Sequence, residues 1–336
     1  MRVLPPTGVR GIHVTGWIAG GMRSLNSLLG ITDRTEINAL AIDIIDDGQL
    51  SYDADVPLAI STHASKRMFK IDRVIDTLDR NKVWSIARIA CMRNTPLAEA
   101  RPNLAIHNAK GGVWHDGSGY AWLNPYRKEV WDYCVDLAMD AIKHGFKEIQ
   151  FDYVRFPSYH VSTQVFPGMP AGARHEDQIA DFLAYSAARI HAQGIWFSAD
   201  VFGLTSLVKD DEGIGQKFQK LVEHIDYLCP MVYPSHYHHG EYGVENPDLQ
   251  PYKIVTLSVG DAKKRLKDVT TCKLRPWIQD FSLGNHYGAA QVRAEINALN
   301  DLGIKEYLLW NPRCEYTEAG IPKRAIKQKA KELIGQ

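Results

Sequence analysis

The sequence predicts a single closed (β/α)8 barrel with long loops after its strands. Three observations point to it: strand-like and helix-like segments alternate along the whole 336-residue chain, no shift of composition divides it, and no glycine-rich phosphate turn follows the first strand. A doubly wound open sheet, the competing arrangement, would need that turn, and His13-Val14-Thr15-Gly16-Trp17 does not supply it.

Residues 11–17 (GIHVTGW) and 37–45 (INALAIDII) are the first two strands, the second ending in the turn Asp46-Asp47-Gly48. Residues 70–79 read as a helix because Ile71, Val74, Ile75 and Leu78 fall on one face. The third strand is 83–91 (VWSIARIAC), and a long excursion over 92–125 follows it. Helix 126–144 is the best marked: Pro125 suits its first turn, Val130, Cys134, Leu137 and Ala141 share a face, and Gly145 stops it. The fourth strand lies within 145–157 (GFKEIQFDYVRFP), built on Ile149, Phe151 and Val154 and closed by Pro157. A second long loop, 157–174, leads to helix 177–193, strand 195–201 (IWFSADV), a helix around 216–224 and the apolar strand 227–233 (YLCPMVY). A histidine-rich loop, helix 251–268, strand 275–281 (RPWIQDF), helix 289–302 and strand 306–310 (EYLLW) complete a barrel over about residues 11–311. A basic helix over 322–335 ends a chain read as one domain, 1–336.

Composition narrows the function classes. At 45% hydrophobic and 23% charged residues the chain is ordinary globular protein. Its formal net charge is zero and no long basic run occurs, which argues against a nucleic-acid partner. No apolar window is long enough for a transmembrane segment, and MRVLPPTGVRG lacks the apolar core of a secretion signal. The expected location is the cytoplasm for the chain as written, or the cell envelope or exterior where a signal has been removed. Five scattered cysteines without CxxC spacing read as buried free thiols. Neither a GxSxG elbow nor a phosphate cradle is present. Nothing in the sequence fixes an oligomeric state.

In a barrel of this kind the chemistry sits at the carboxyl ends of the strands. Those positions hold Asp43, Asp46 and Asp47 (strand two), Arg88 and Arg93 (three), Asp152 and Arg155 (four), Asp200 (five), Tyr233 and His236 (six), Gln279 and Asp280 (seven), and Trp310 and Asn311 (eight). Asp152 and Asp200 end neighbouring strands, so their carboxyls are expected about 5–6 Å apart, the spacing of retaining glycosidases. Like charges so placed push one pKa up and make an acid beside a base. Arg155 or Arg88 would keep the nucleophile ionised, and Asp280 would support the transition state or take the acid role. A structural ion pair for Asp152 with Arg155, and plain loop hydrogen bonds for Asp200 and Asp280, are the alternatives. Trp17, Trp122, Tyr233 and Trp310, with Trp114 and Tyr237, are candidate platforms for sugar rings, although each taken singly suits a core equally well. The acidic run Asp43, Asp46, Asp47, Asp53 and Asp55 lacks the EF-hand pattern, and His236, His238 and His239 lack zinc spacing, so no metal or cofactor is expected.

With those residues in view, WLNPYRKEVWDYCVDLAMDAIKHGFKEIQFDYVRFP (122–157), ARIACMRN (87–94), FSADVFGL (197–204) and PMVYPSHY (230–237) resemble the glycoside hydrolase family DUF4015. The likeness runs from about residue 11 to 311. It implies a (β/α)8 glycosidase of α-amylase-like affinity acting on a polysaccharide, an exopolysaccharide or envelope glycan. In that group the nucleophile follows strand four, the acid strand five and a third carboxylate strand seven, which implies Asp152, Asp200 and Asp280. The group's strand-five acid is a glutamate where this chain has Asp200, and its arginine precedes the nucleophile where Arg155 follows Asp152. A non-catalytic carbohydrate-binding protein and a metal-dependent glycan hydrolase or deacetylase are the other readings.

Overall fold

The computed structural model describes residues 3–158 and 161–324. Eight parallel strands close a barrel: β1 (Arg10–Val14), β2 (Ala39–Asp46), β3 (Trp84–Ala90), β4 (Glu148–Asp152), β5 (Trp196–Phe202), β6 (Tyr227–Val232), β7 (Trp277–Gln279) and β8 (Tyr307–Trp310). Closure comes from β1, which pairs with β8 on one side (Gly11 opposite Leu308) and with β2 on the other (Gly11 opposite Ala39). The connecting helices are α1 (Met22–Arg34), α2 (Ile71–Arg80), α3 (Lys128–Lys143), α4 (His175–Ala192), α5 (Phe218–Leu221), α6 (Pro251–Arg265) and α7 (Ala289–Asp301).

The strands follow the expected segments to within a few residues, and the differences have local causes. The seventh expected strand, 275–281, is shorter: β7 runs only over Trp277–Gln279, and Lys273–Leu274, ahead of the expected segment, pairs with the start of β6. Pro276 lies between them and has no N–H to give a ladder. The helix expected around 216–224 shrinks to the four residues of α5. Of the expected C-terminal helix, residues 322–324 are extended, with Lys323 bridged antiparallel to Thr35, and residues 325–335 lie outside those described.

Alternation along each strand makes two cores. Outward residues such as Ile42, Ile89, Phe151 and Ala199 pack on the helices. Inward residues, among them Ala41, Trp84, Ile86, Cys229, Trp277 and Leu308, fill the barrel. Large rings fit there because their neighbours are small. A Cβ on Gly11 would stand 2.6 Å from Leu308 Cδ2, so a side chain there would force the packed Leu308 side chain to shift.

The amino-terminal end of the barrel is plugged by ions. Arg275 and Glu148 are both fully buried; Arg275 Nη1 lies 2.5 Å from Glu148 Oε1 and its other edge binds Glu306 at 2.9 Å. Trp84 Nε1 (3.1 Å) and Ser198 Oγ (2.7 Å) also donate to Glu148. Removing the cation alone would strand a buried carboxylate. Arg275→Met is therefore expected to cost about 3–5 kcal/mol in urea unfolding, and the double variant Arg275→Met/Glu148→Gln to recover part of that loss.

Candidate active site

The opposite, carboxyl-terminal end of the barrel carries a second buried ion network. Pairing aligns Asp43 with Arg88 directly, and Arg88 with Gln150, one pleat below Asp152. Asp200 occupies the next strand, two residues past Ser198, the partner of Gln150. Parallel register thus brings the inward ends of β2, β3, β4 and β5 to one level. A bulge in β2 between Asp43 and Ile45 re-aims the chain just there.

Arg88 is the hub. Its Nη1 donates to Asp43 Oδ1 at 2.5 Å, its Nη2 donates to Asp152 Oδ2, and its Nε faces Asp200 Oδ2 at 3.6 Å. Behind Asp43, His13 Nε2 lies 2.6 Å from Asp43 Oδ2. All five side chains are buried. Three carboxylates cannot all stay charged around one guanidinium in a dry site.

The network resolves this by protonating Asp200. Burial, and then the nearby charge of Asp152, push the Asp200 carboxyl well above its ordinary value of 3.8; Arg88 and the Trp277 N–H oppose them without prevailing. Burial would also raise Asp43, but the charges of His13 and Arg88 outweigh it and hold that carboxyl below the usual range. Burial likewise disfavours the Arg88 cation, and the carboxylates around it more than compensate. Trp277 Nε1 donates to Asp200 Oδ1 at 2.7 Å, which leaves Oδ2 to carry the proton, and Oδ2 has no hydrogen-bond partner among the described residues.

Asp152 is fixed from the other side by the Tyr153 N–H, 2.5 Å from its Oδ1. Tyr153 itself has φ 52°, in the left-handed region that costs a non-glycine residue on the order of 1–3 kcal/mol. Its ring is held by the Arg93 guanidinium at 4.1 Å and by the edge of Trp122 at 5.8 Å. Arg155 then stacks on Trp122 (4.7 Å) and Phe202 (4.6 Å).

These groups line a cavity of about 470 Å³, a size suited to small-molecule recognition. Arg88, Asp152, Asp200, Trp277 and Trp310 line it together with Arg93, Tyr153, Arg155, Phe202, Met231, Tyr233 and His236. Burial draws His236 below its ordinary value, so it is neutral at pH 7. A larger groove of about 790 Å³ lies between α6 and α7, where Lys263, Lys267, Lys273 and Lys305 surround aliphatic residues. The carboxylate among its lining residues, Glu306, is bound to Arg275.

Of the residues expected at the site, Asp152, Asp200, Arg88, Arg155, Tyr233, His236 and Trp310 meet at this cavity, and Asp43 stands directly behind Arg88. Asp46, Arg93 and Tyr237 line it as well. Asp280, Asn311, Gln279, Trp122 and Trp17 are placed elsewhere. Asp280 does not line the cavity: its Oδ1 and Oδ2 accept hydrogen bonds from Thr317 Oγ1 (2.6 Å) and N (2.7 Å) and tie down the segment after β8. Asn311 donates to the Asp280 carbonyl at 2.5 Å and the Glu315 carbonyl at 2.7 Å. Gln279 braces the turn Pro234–His236 by accepting from Ser235 N and Oγ at 3.1 and 3.0 Å. Trp122 is buried beneath Arg155, and Trp17, 67% exposed, stands outside the cavity on the short helix after β1. His13, Trp277 and Tyr153 were not anticipated. His13 and Trp277 do carry a signal, a polar or bulky residue two positions from an inward one; the backbone turn at Tyr153 carries none.

The raised Asp200 pKa fixes a stability trend. From pH 4 upward the unfolded chain loses this proton while the folded chain keeps it, so wild type loses stability until the folded pKa is passed. Asp200→Asn has no proton to lose. In urea unfolding at pH 4, 5.5 and 7 its stability relative to wild type is expected to rise steadily with pH; a constant difference would mean Asp200 is not held protonated.

Comparison with known proteins agrees with the barrel fold. A hypothetical protein from Ruminiclostridium thermocellum is 34% identical, with the match covering 60% of this chain and 98% of that one at a TM-score of 0.52. The glycoside hydrolase domain of PgaB (BpsB) from Bordetella bronchiseptica matches in fold over 95% of this chain and all of its own, with TM-score 0.69 and 15% identity. The glycoside hydrolase domain of PelA from Pseudomonas aeruginosa matches over 93% of this chain and 97% of its own, with TM-score 0.53 and 9% identity. Among the curated proteins none matches the sequence. The family model described as "Putative glycosyl hydrolase domain" matches residues 11–316, and the chain belongs to that family, DUF4015.

Proposed function

We propose that this glycosyl hydrolase domain cleaves a polysaccharide with Asp152 as nucleophile and Asp200 as general acid. One observation carries the reading: two carboxyls from adjacent strands share the Arg88 guanidinium at the floor of a cavity, and burial pushes the Asp200 carboxyl well above its ordinary value. A carboxyl raised in this way beside a second carboxyl is what glycosidic cleavage needs.

The free Oδ2–H of Asp200 protonates the glycosidic oxygen as the bond to C1 breaks. Asp152, held by Arg88 and the Tyr153 N–H, attacks C1 and forms a glycosyl ester. Water then displaces Asp152, giving one proton to the Asp200 carboxylate, and both groups return to their starting states. Closing such a site around the sugar strengthens each of these interactions. The rings of Trp310, Tyr233, Tyr153 and Phe202 offer apolar faces of the kind that pyranose rings stack on. A chain-like glycan, an exopolysaccharide or a cell-envelope polymer, suits a cavity at an open barrel face. Direct attack by a water activated at Asp152 would instead invert the anomeric centre.

Reducing-end release from a panel of bacterial and plant polysaccharides tests the reading. Wild type is expected to release sugar, and Asp152→Asn and Asp200→Asn to lose about two to four orders of magnitude in kcat/KM. With an activated aryl glycoside, whose leaving group needs no proton, Asp200→Asn should regain most of its kcat/KM, with kcat still held down by the second step, and Asp152→Asn should regain neither. Full turnover by Asp152→Asn would remove the centre of the proposal.

A further inference from the structure

His13 lies deepest in the ion network, and the hydrolysis scheme leaves it without a part. It ends β1, is 2% exposed and does not line the cavity. Both of its ring nitrogens face acceptors: Nε2 is 2.6 Å from Asp43 Oδ2, and Nδ1 is 3.3 Å from the carbonyl oxygen of Asn311. A neutral imidazole has one N–H; two acceptors call for two, which is the imidazolium. The ring also stacks on the Trp310 indole, with centroids 3.8 Å apart and planes at 19°. The same indole lies 4.9 Å from Arg88 Cζ. Two cations thus share one electron-rich ring and one carboxylate, and that ring forms part of the cavity wall.

We propose that His13 is a positioning residue of the catalytic centre: as the imidazolium it fixes Asp43 and Trp310, and through Asp43 and Arg88 it sets the charges of Asp152 and Asp200. The proposal rests on the glycosidase reading for what the centre does to a sugar. The charge on His13 and its pull on the two carboxyls are properties of the free protein.

The groups facing His13 come from five segments. Asp43 approaches from β2 and Arg88 from β3; the uncharged Trp277 edge stands 6.5 Å away on β7; Trp310 and Asn311 come from the end of β8. Cys314 and Tyr316 follow β8. The Tyr316 hydroxyl donates to the His13 carbonyl oxygen, and burial holds that hydroxyl un-ionised. Burial acts against the His13 cation, and Arg88 repels it. Asp43 and the Cys314 sulfur overcome both and hold the imidazole up to about 9. The sign follows: a folded-state value raised above the ordinary 6.5 gives stability that is complete below 6.5 and lost as pH rises through about 9.

Removing this charge has a directed effect that simple loosening lacks. With one positive charge gone, the neighbouring carboxyls hold their protons more tightly, by about one pH unit at this range. The test uses the full chain without substrate. Side-chain 15N resonances of labelled histidine, assigned with His13→Gln, are expected to show His13 doubly protonated at pH 7.5 with a midpoint near 9. Carboxyl 13C resonances are expected to show the Asp200 midpoint about one unit higher in His13→Gln. A neutral His13 at pH 7.5, or an Asp200 midpoint unmoved in the variant, overturns the proposal. If His13→Gln does not fold, Asp43→Asn replaces it: the His13 midpoint should fall below 6.5, and a midpoint still near 9 overturns the proposal equally. Where wild type turns over a glycan, His13→Gln should lower kcat about tenfold with KM nearly unchanged and move the acid limb of kcat upward. A wild type that hydrolyses no glycan would sink the glycosidase reading and leave the two NMR results to decide this one.

Discussion

One buried guanidinium organises this molecule's functional end. Arg88 is 3% exposed, and a cation so placed persists only where anions surround it in good geometry. Its planar fork meets Asp43 and Asp152, while its remaining edge lies toward Asp200. Those three carboxyls come from three strands, so the barrel's closure and register are preconditions of the ion network. The excess of negative charge then has two outlets, a second cation at His13 and a retained proton at Asp200. A carboxyl raised well above its ordinary value beside a second carboxyl is the result, produced by burial and crowded charge.

The rest of the fold keeps that balance in place. At the far end of the barrel, Glu148 and Arg275 form a separate plug, with an apolar layer of Ala41, Ile86, Cys229 and Leu308 between the two networks. Around the rim, Tyr153 is held in a left-handed backbone conformation by rings and guanidinium groups stacked upon it. Its N–H donates to Asp152. Gly203 serves the neighbouring wall: a Cβ there would stand 2.6 Å from the Met231 carbonyl oxygen, so the loop after β5 can lie against β6 only without a side chain.

Much of this was legible in the sequence, because strand alternation and the rule of carboxyl-terminal strand ends are local in origin. Asp152, Asp200 and Arg88 follow from position alone. The rule reaches its limit one residue further on. Asp280 follows Gln279 at the end of β7, and the segment after β8 returns to bind it through Thr317, a contact no periodicity announces. Trp122 reads as a sugar platform from its place in a loop, yet that loop folds back and buries it under Arg155. His13 is hidden for the opposite reason. One polar residue in GIHVTGW looks incidental until the barrel closes and sets β1 beside both β2 and β8.

The account's central claim is that Asp200 is held as a neutral acid in the resting protein. Infrared difference spectroscopy at pH 7 tests it most directly, by subtracting the spectrum of Asp200→Asn from that of wild type. The account predicts a protonated-carboxyl C=O band in wild type that vanishes in Asp200→Asn and persists in Asp152→Asn. A band lost in Asp152→Asn and kept in Asp200→Asn, or no difference at all, would contradict it.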